Sequence, residues 1–530
     1  MLRTLILAGL LCAAGLSAAD SHVWKIAGAP PASWEHDRVS DLAAHRKGAM
    51  DRIGEKGILI LWAAEPRNYA GDVDWPYRQE NDFFYLTGIT QPGSMLVMIP
   101  GAAIKEILFM PPSNPRRESW TGHILTPAEG HAISGIETIW DARNFPAFLS
   151  TLMPEAKEAV APPGGRGGAG GNGAAGSRGI PSAPPIPVDV AQEFAATIAG
   201  LAQHDLHLVM LDQGSPAEYA REEAFAAKLA TADPALKIES ATPVFRALRQ
   251  VKSSRELDLL RHAVEITAEG FQRAYTLGVP GTPEYEIQAQ FELTFLRRNS
   301  HWGYPCIVAS GVNATTLHYE TNKDTMHAGD LLLMDDAAEF DGYSADVTRT
   351  IPVSGKYSKE QAEIYRMVWD AQQAGIRAAR PGKTNADITG AAVKVFADGL
   401  LKLGLITDPA NRGQIGIWFN HGISHGIGLN VHDPDGREFQ PGMAITMEPG
   451  LYFRPDALDN LPATPENEKF IAAVKPAFEK YKGIGVRIED DVLITTGEAE
   501  VLSAGIPSRL EDVEAAIARY RKALKSSPLP

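Results

Sequence analysis

Four acids and one imidazole in the second half of the chain can do chemistry together: Asp335, Asp346, His425, Glu448 and Glu489. Each sits in a short strand-like run, and most have glycine nearby. Carboxylates with one imidazole are the donors that two hard divalent cations take when they share bridging oxygens, and such a pair activates water for hydrolysis. If the five converge in space, the chain is a metallohydrolase. So oxygen-rich a set favours manganese, with cobalt or zinc able to substitute, and two such ions about 3.5 Å apart bridge one water.

The segments that carry these residues say how they could be placed. Leu331-Leu332-Leu333-Met334 reads as a buried strand with Asp335 and Asp336 at its end. A charge there is costly unless something pairs with it. An antiparallel return across a turn at Gly342 would put Asp346 beside Asp335, and a cation between them would relieve their repulsion. The bland reading of this segment alone is a turn with solvated acids. His421, His425 and His432 fall in one run. The spacing of His421 and His425 suits two ligands on one helix face, but Gly422, Gly426 and Gly428 argue for turn and strand instead. A lone histidine is more often structural, but three clustered with acids reverse that. Glu448 and Glu489 each stand at the edge of an apolar strand, as 444–447 and 485–488 read.

Around these runs the chain of 530 residues is long enough for two domains. Its formal charge of -15, with no long basic run, excludes nucleic acid and an anionic membrane surface as expected partners. Arg3, an apolar stretch at 5–16 and small residues at 17–19 read as an export signal cleaved near Ala19, with Cys12 badly placed for lipid attachment. The expected location is therefore periplasmic or secreted, with no stable membrane insertion. Cys306 is then the only cysteine left, so no internal disulfide can form.

Residues 34–110 alternate helix (41–53) and strand (57–62, 94–99, 106–110), as an α/β layer does. Residues 161–187 are too rich in Gly, Ala and Pro to build a core and read as a surface loop or disordered insertion. A long helical pattern starts near Thr242. Beyond it, strands with Gly-containing turns and two amphipathic helices, 359–379 and 385–403, read as α+β. The expected division is a first domain over 20–240, a catalytic domain over 241–510 and a tail over 511–530.

With these segments in hand, the chain resembles the Xaa-Pro aminopeptidases (aminopeptidase P) of peptidase family M24, the pita-bread metallopeptidases. The resemblance rests on Leu317-His318-Tyr319, Asp335 with Asp346, His425, Glu448 and Glu489 in family order, and on 78–88, which resembles the signature of the family's N-terminal domain. It implies a ribonuclease H-like α/β first domain with a mixed sheet, and a pita-bread catalytic domain. It implies that Asp335, Asp346, His425, Glu448 and Glu489 hold two divalent metals whose bridging hydroxide attacks an Xaa-Pro bond, with Glu448 taking the proton. His318 and His432 would stabilise the tetrahedral intermediate or position the substrate. His421, Arg487 and Tyr304 would lie at the substrate, Arg487 supporting the bridging Glu489. The substrates would be peptides with proline second, and the assembly a homodimer or homotetramer. Two departures are notable. Asp336 replaces a small residue, and Gly426 stands where many relatives carry a bulky one, which is expected to open the pocket. The 454–480 stretch looks inserted.

Three other readings compete. An Xaa-Pro dipeptidase would use the same site on dipeptides, but the 78–88 signature favours the aminopeptidase. A creatinase-like hydrolase keeps the fold without metals, which retention of all five ligand positions opposes. A catalytically silent binding module would have lost a ligand or His318, and none is lost.

Overall fold

A computed structural model describes residues 24–152, 205–208 and 219–526. The expected export segment and the 161–187 stretch lie outside the described residues. The chain divides into two compact units: Glu35–Leu248, and Arg249–Pro530 together with the segment that ends at Trp34. The division falls after the boundary expected near 240, inside a helix rather than before it, and the residues up to Trp34 go with the second unit.

The first unit is a six-stranded mixed sheet. Its strands are β1 (Gly57–Trp62), β2 (Met95–Met98), β3 (Glu106–Met110), β4 (Ile139–Asp141), β5 (Asp205–Leu208) and β6 (Lys237–Ser240), in the order β4-β3-β2-β1-β5-β6. β1 pairs antiparallel with β2 and parallel with β5. Ile58, Ile60, Val97, Phe109 and Phe148 meet in one core with no exposed surface to speak of, each contributing about 1.5–3 kcal/mol by burial. Helix α1 (Arg38–Ile53) covers the sheet with Leu42, Ala49 and Ile53. The 78–88 run is a capped helix, α2 (Asn81–Thr87). Glu80 accepts from the backbone N–H of Asp82 (3.1 Å) and Phe83 (2.6 Å), and Gly88 ends the helix with φ 64°. The buried amide of Gln79 accepts from Ala64 N (2.7 Å) and donates to Ile89 O (2.9 Å), tying the helix entry to its flanks.

The expected long helix from Thr242 is two: α3 (Thr242–Arg249) and α4 (Ser254–Leu277). Ser253 caps α4 through a reciprocal pair with Glu256, and Lys252 turns inward to Asp433, so the helical pattern cannot run through. α4 buries Leu259, Leu260, Ala263, Ile266 and Phe271. The segment before the first unit lies along α4: Trp24 Nε1 donates to Thr276 Oγ1 (3.0 Å), Ala27 N to Glu269 Oε2 (3.1 Å) and Ser33 Oγ to Asp258 Oδ2 (2.7 Å).

After α5 (Glu284–Arg297) the second unit is built from short antiparallel strands: β7 (His301–Trp302), β8 (Ile307–Ser310), β9 (Leu331–Asp335), β10 (Ala338–Phe340), β11 (Tyr343–Ser344), β12 (Thr348–Pro352), β13 (Ala444–Met447), β14 (Gly450–Tyr452), β15 (Gly485–Arg487) and β16 (Asp490–Leu493). β9 lies between β8 and β12, and Asp335 pairs with Thr348. Between them β10 and β11 form a hairpin about Asp341 and Gly342, whose φ of 50° and 86° make the turn tight. The return continues the ladder, with Asp336 N donating to Val347 O (3.2 Å). β13 pairs with β16 up to Met447 and Asp490, and β14 with β15 from Gly450 and Arg487. Helices α6 (Lys359–Ala378) and α7 (Asn385–Leu403) pack on each other and match the sequence expectation.

The 454–480 stretch supplies α8 (Pro465–Tyr481), whose Phe470, Val474 and Phe478 are buried and whose Phe478 ring stacks on Trp418 at 5.5 Å. It is part of this unit's core. Residues expected as a tail form α9 (Leu510–Ser526), which packs on α4 and buries Val513, Ala516 and Ile517. The fold is the expected α/β layer followed by an α+β pita-bread unit.

Candidate metal centre

Strand ends place every acid of the site. Asp335 closes β9, and Asp346 lies two residues before β12 on the paired strand. Glu448 and Glu489 follow and precede the last β13–β16 pair, Met447 and Asp490. The β13–β16 and β14–β15 ladders keep one register, which sets Glu448 opposite Glu489 in the gap between them, and Glu489 N donates to Thr348 O (3.0 Å) of β12. His425 comes from a loop that is not helical: Gly426 bridges to both Asp433 and Ile445. All five line one cavity of about 500 Å³ inside the second unit, with Tyr304, His318, His421, His432 and Arg487. Asp346, His425 and Glu489 each offer a ligand atom within 4.8 Å of the others. His425 Nε2 lies 3.3 Å from Glu448 Oε1 and 3.5 Å from Asp346 Oδ2.

The charge in this cavity is unbalanced. The Tyr304 hydroxyl is 2.7 Å from Asp335 Oδ1 and 2.7 Å from Asp346 Oδ1. One hydroxyl proton serves one carboxylate, so the second contact needs a protonated acid. Burial, then Asp335 and Glu448, push the Asp346 carboxyl well above the usual range, and burial with Asp346 and Glu448 does the same to Glu489. Burial alone would raise Glu448, but its hydrogen bond and charge contact with His425 hold it down. Burial would lower His425, yet Glu448 and Glu489 carry it up to about 9. Its Nδ1 is 3.0 Å from Gly426 O. A proton there makes Nε2 the free ring nitrogen, as a metal ligand requires. Four crowded carboxylates facing one such imidazole and one guanidinium fit divalent cations.

Arg487 is that guanidinium, and it corrects the expectation. Its Nη2 donates to Asp335 Oδ2 (2.6 Å), not to Glu489. Thr348 connects the two: its Oγ1 accepts from Arg487 Nε (3.1 Å) and donates to Glu489 Oε2 (2.6 Å). Burial would lower Arg487, but Tyr452, Asp335 and Glu489 hold it well above its ordinary value and so charged. Arg487 Nη1 also donates to Tyr452 Oη (3.0 Å), and Tyr452 Oη lies 3.0 Å from His421 Nε2. His421 Nδ1 meets Gly422 O at 2.6 Å, so the network assigns Nε2 as acceptor. Burial lowers His421 and favours this neutral form. A hydrogen-bonded chain thus runs Asp335–Arg487–Tyr452–His421.

His318 and His432 face the cavity as expected. The His432 ring packs edge-on to His425 at 4.3 Å, and burial, then His425, lowers its pKa. Tyr304 bonds the acids themselves, closer to the ligand cluster than a substrate residue would be. Gly426 does not open the pocket: a side chain there would meet Asp433 O at 2.6 Å and Pro434 O at 2.9 Å, so backbone crowding requires glycine. Asp336 points away from the cavity into the protein. Burial, then the charges of Asp335 and Glu292, raise it well above the usual range despite the Cys306 thiol beside it. Sequence reasoning missed Thr348 and Tyr452, whose only signal is adjacency to residues already chosen. It also missed Asp491, whose Oδ2 accepts from Asp346 N (3.2 Å).

A carboxylate-rich cavity with one imidazole ligand, set at strand ends of an antiparallel α+β unit, defines a metal-dependent hydrolase. Comparison narrows the class. Residues 258–496 match the family described as metallopeptidase family M24, and 42–161 match the aminopeptidase P N-terminal domain. The Xaa-Pro aminopeptidase of Escherichia coli (strain K12) is 31% identical over 494 residues, covering 90% of this chain and 97% of that protein. Xaa-Pro aminopeptidase 1 of Streptomyces coelicolor is 31% identical over 506 residues, covering 90% and 87%. The solved aminopeptidase P of E. coli with the inhibitor Pro-Leu superposes with a TM-score of 0.71 at 28% identity, over 91% of this chain and 99% of that one. The chain belongs to the aminopeptidase P family of M24 metallopeptidases.

Proposed function

We infer that this chain is a metal-dependent aminopeptidase that releases the first residue of peptides whose second residue is proline. The observation that carries the reading is the convergence of Asp346, His425 and Glu489 within 4.8 Å in a cavity also lined by Asp335 and Glu448. In this reading those five residues hold the metals. Manganese suits their hard oxygen donors best, and the E. coli relative, solved zinc-substituted with product, supports zinc as a substitute. When bound, the metals supply Lewis acidity and activated water.

The chain's own residues do the rest. Glu448, beside His425 in the cavity, accepts the proton of the attacking water and returns it to the leaving amine. His318 and His432 offer ring N–H groups to the carbonyl oxygen as charge develops there. Arg487 fixes the direction of Asp335. Pro305, Ile307, Leu317 and Val431 give the cavity an apolar wall, which suits a proline ring that lacks an N–H and is fixed in φ. The E. coli relative solved with Pro-Leu in the role of inhibitor supports the same substrate chemistry.

Comparing Xaa-Pro with Xaa-Pro-Xaa as substrates tests the reading. Release of the first residue from the tripeptide, with little turnover of the dipeptide, is expected. Cleavage of the dipeptide alone would make the chain a dipeptidase.

A further inference from the structure

Behind the loop that carries His425 and His432 sits a buried cluster of three charged side chains. Asp433 follows His432 but faces inward. Its Oδ1 pairs with Arg249 Nη2, and its Oδ2 accepts from Lys252 Nζ (2.9 Å). The side chains of Arg249, Lys252 and Asp433 are 5%, 1% and 1% exposed. Lys252 Nζ also donates to Arg249 O (2.5 Å), and Asp433 Oδ1 accepts from Asn430 N (3.2 Å). Burial would raise the Asp433 carboxyl, but Arg249 and Lys252 hold it below the usual range.

The loop has two limbs. The limb with His425 is tied to β13, where Thr446 N donates to His425 O (2.9 Å) and Ile427 N to Ala444 O (3.1 Å). The returning limb, with His432, is closed onto the first by Asp433 N donating to Gly426 O (2.8 Å), and Asp433 anchors it to the protein. Gly426 and Gly428 permit this fit: a side chain on Gly428 would meet Asp433 Oδ2 at 2.5 Å. A buried ion cluster is weak evidence for stability, because desolvation offsets the attraction and apolar replacements are often as stable. Its geometry is what an apolar replacement cannot copy, since two cations approach one carboxylate from fixed directions.

We propose that Arg249, Lys252 and Asp433 are positioning residues for the reaction: together they hold the 425–433 loop so that His432 faces the cavity at its set distance from His425. The proposal rests on the peptidase reading above. Neither cation lines the cavity: Arg249 is the last residue of α3 and Lys252 lies in the connector to α4.

The test is the triple variant Arg249→Met/Lys252→Met/Asp433→Leu, compared with Leu260→Ala as a core variant, both measured well below their melting temperatures. The expected result is a triple variant that keeps two metals per chain and a KM near wild type, while kcat on an Xaa-Pro-Xaa peptide falls about 100-fold, as a misplacement near 1 Å costs. Leu260→Ala should keep kcat whatever its melting temperature. A folded triple variant with kcat within about twofold of wild type would overturn the proposal. If the triple variant does not fold, Asp433→Asn, which keeps shape and loses charge, takes its place with the same two outcomes. Imidazole ¹⁵N shifts of His425 and His432 in the zinc-loaded chain need no turnover. They should move in the cluster variant and stay in Leu260→Ala, and unmoved shifts in both would sink the proposal even if wild type cleaved no such peptide.

Discussion

Tyr304 brings one proton to two carboxylates, and that arithmetic decides what the cavity needs. Asp346 is 5% and Glu489 1% exposed, so water cannot screen them. The five ligand-type residues were legible in the sequence because so many acids at the ends of apolar strands have few bland explanations. Arg487 was legible as a site residue but its partner was not. Asp335 is 152 residues away along the chain, and only strand pairing brings Thr348 between Arg487 and Glu489. The same pairing hid Tyr452. Because Asp346 sits between Tyr304, His425 and Asp335, no neighbour can take over its oxygens. Asp346→Ala should lower kcat on a proline-second tripeptide by about 10³-fold, a loss of ~4 kcal/mol. Steady-state kinetics with metal counted per chain checks this, and near-wild-type turnover would refute the role.

At the scale of elements, register explains why two glutamates on different strands end side by side: Met447 pairs with Asp490 and Gly450 with Arg487, so Glu448 falls opposite Glu489. Strand runs such as 331–335 and 444–447 and helices 359–378 and 385–403 could be read directly, since periodicity and caps mark them. The break between α3 and α4 could not, because the residue that pulls Lys252 out of helical register is Asp433, far along the chain. The 454–480 stretch read as an insertion because its apolar residues have partners, such as Trp418, that only the folded chain supplies. The 78–88 signature turns out to be a helix start: Glu80 caps α2, and Tyr219 Oη also donates to Glu80 Oε1 (3.2 Å). Glu80→Ala should cost about 1 kcal/mol and lower the melting temperature by a few degrees, with kcat at 25 °C unchanged. Calorimetry beside the peptide assay tests this, and lost activity without lost stability would give the run a part in the chemistry.

For the whole molecule, the acids couple stability to pH and to metal. The folded pKa values of Asp346 and Glu489 lie above their unfolded ones. Without metal, the folded state holds these protons more tightly, so stability declines as pH rises from about 4, the unfolded value, toward the folded values. Bound cations remove that decline. The melting temperature of chelated protein should therefore fall further below that of metal-loaded protein between pH 5 and pH 8, whereas a gap independent of pH would mean the acids do not face the metals.

The central claim is that these five residues hold the metals on which peptide hydrolysis depends. The most direct measurement is release of the first residue from an Xaa-Pro-Xaa tripeptide before exhaustive chelation, after it, and after manganese is restored. Turnover, its loss and its return are the expected results. Full activity in the chelated protein would contradict the claim.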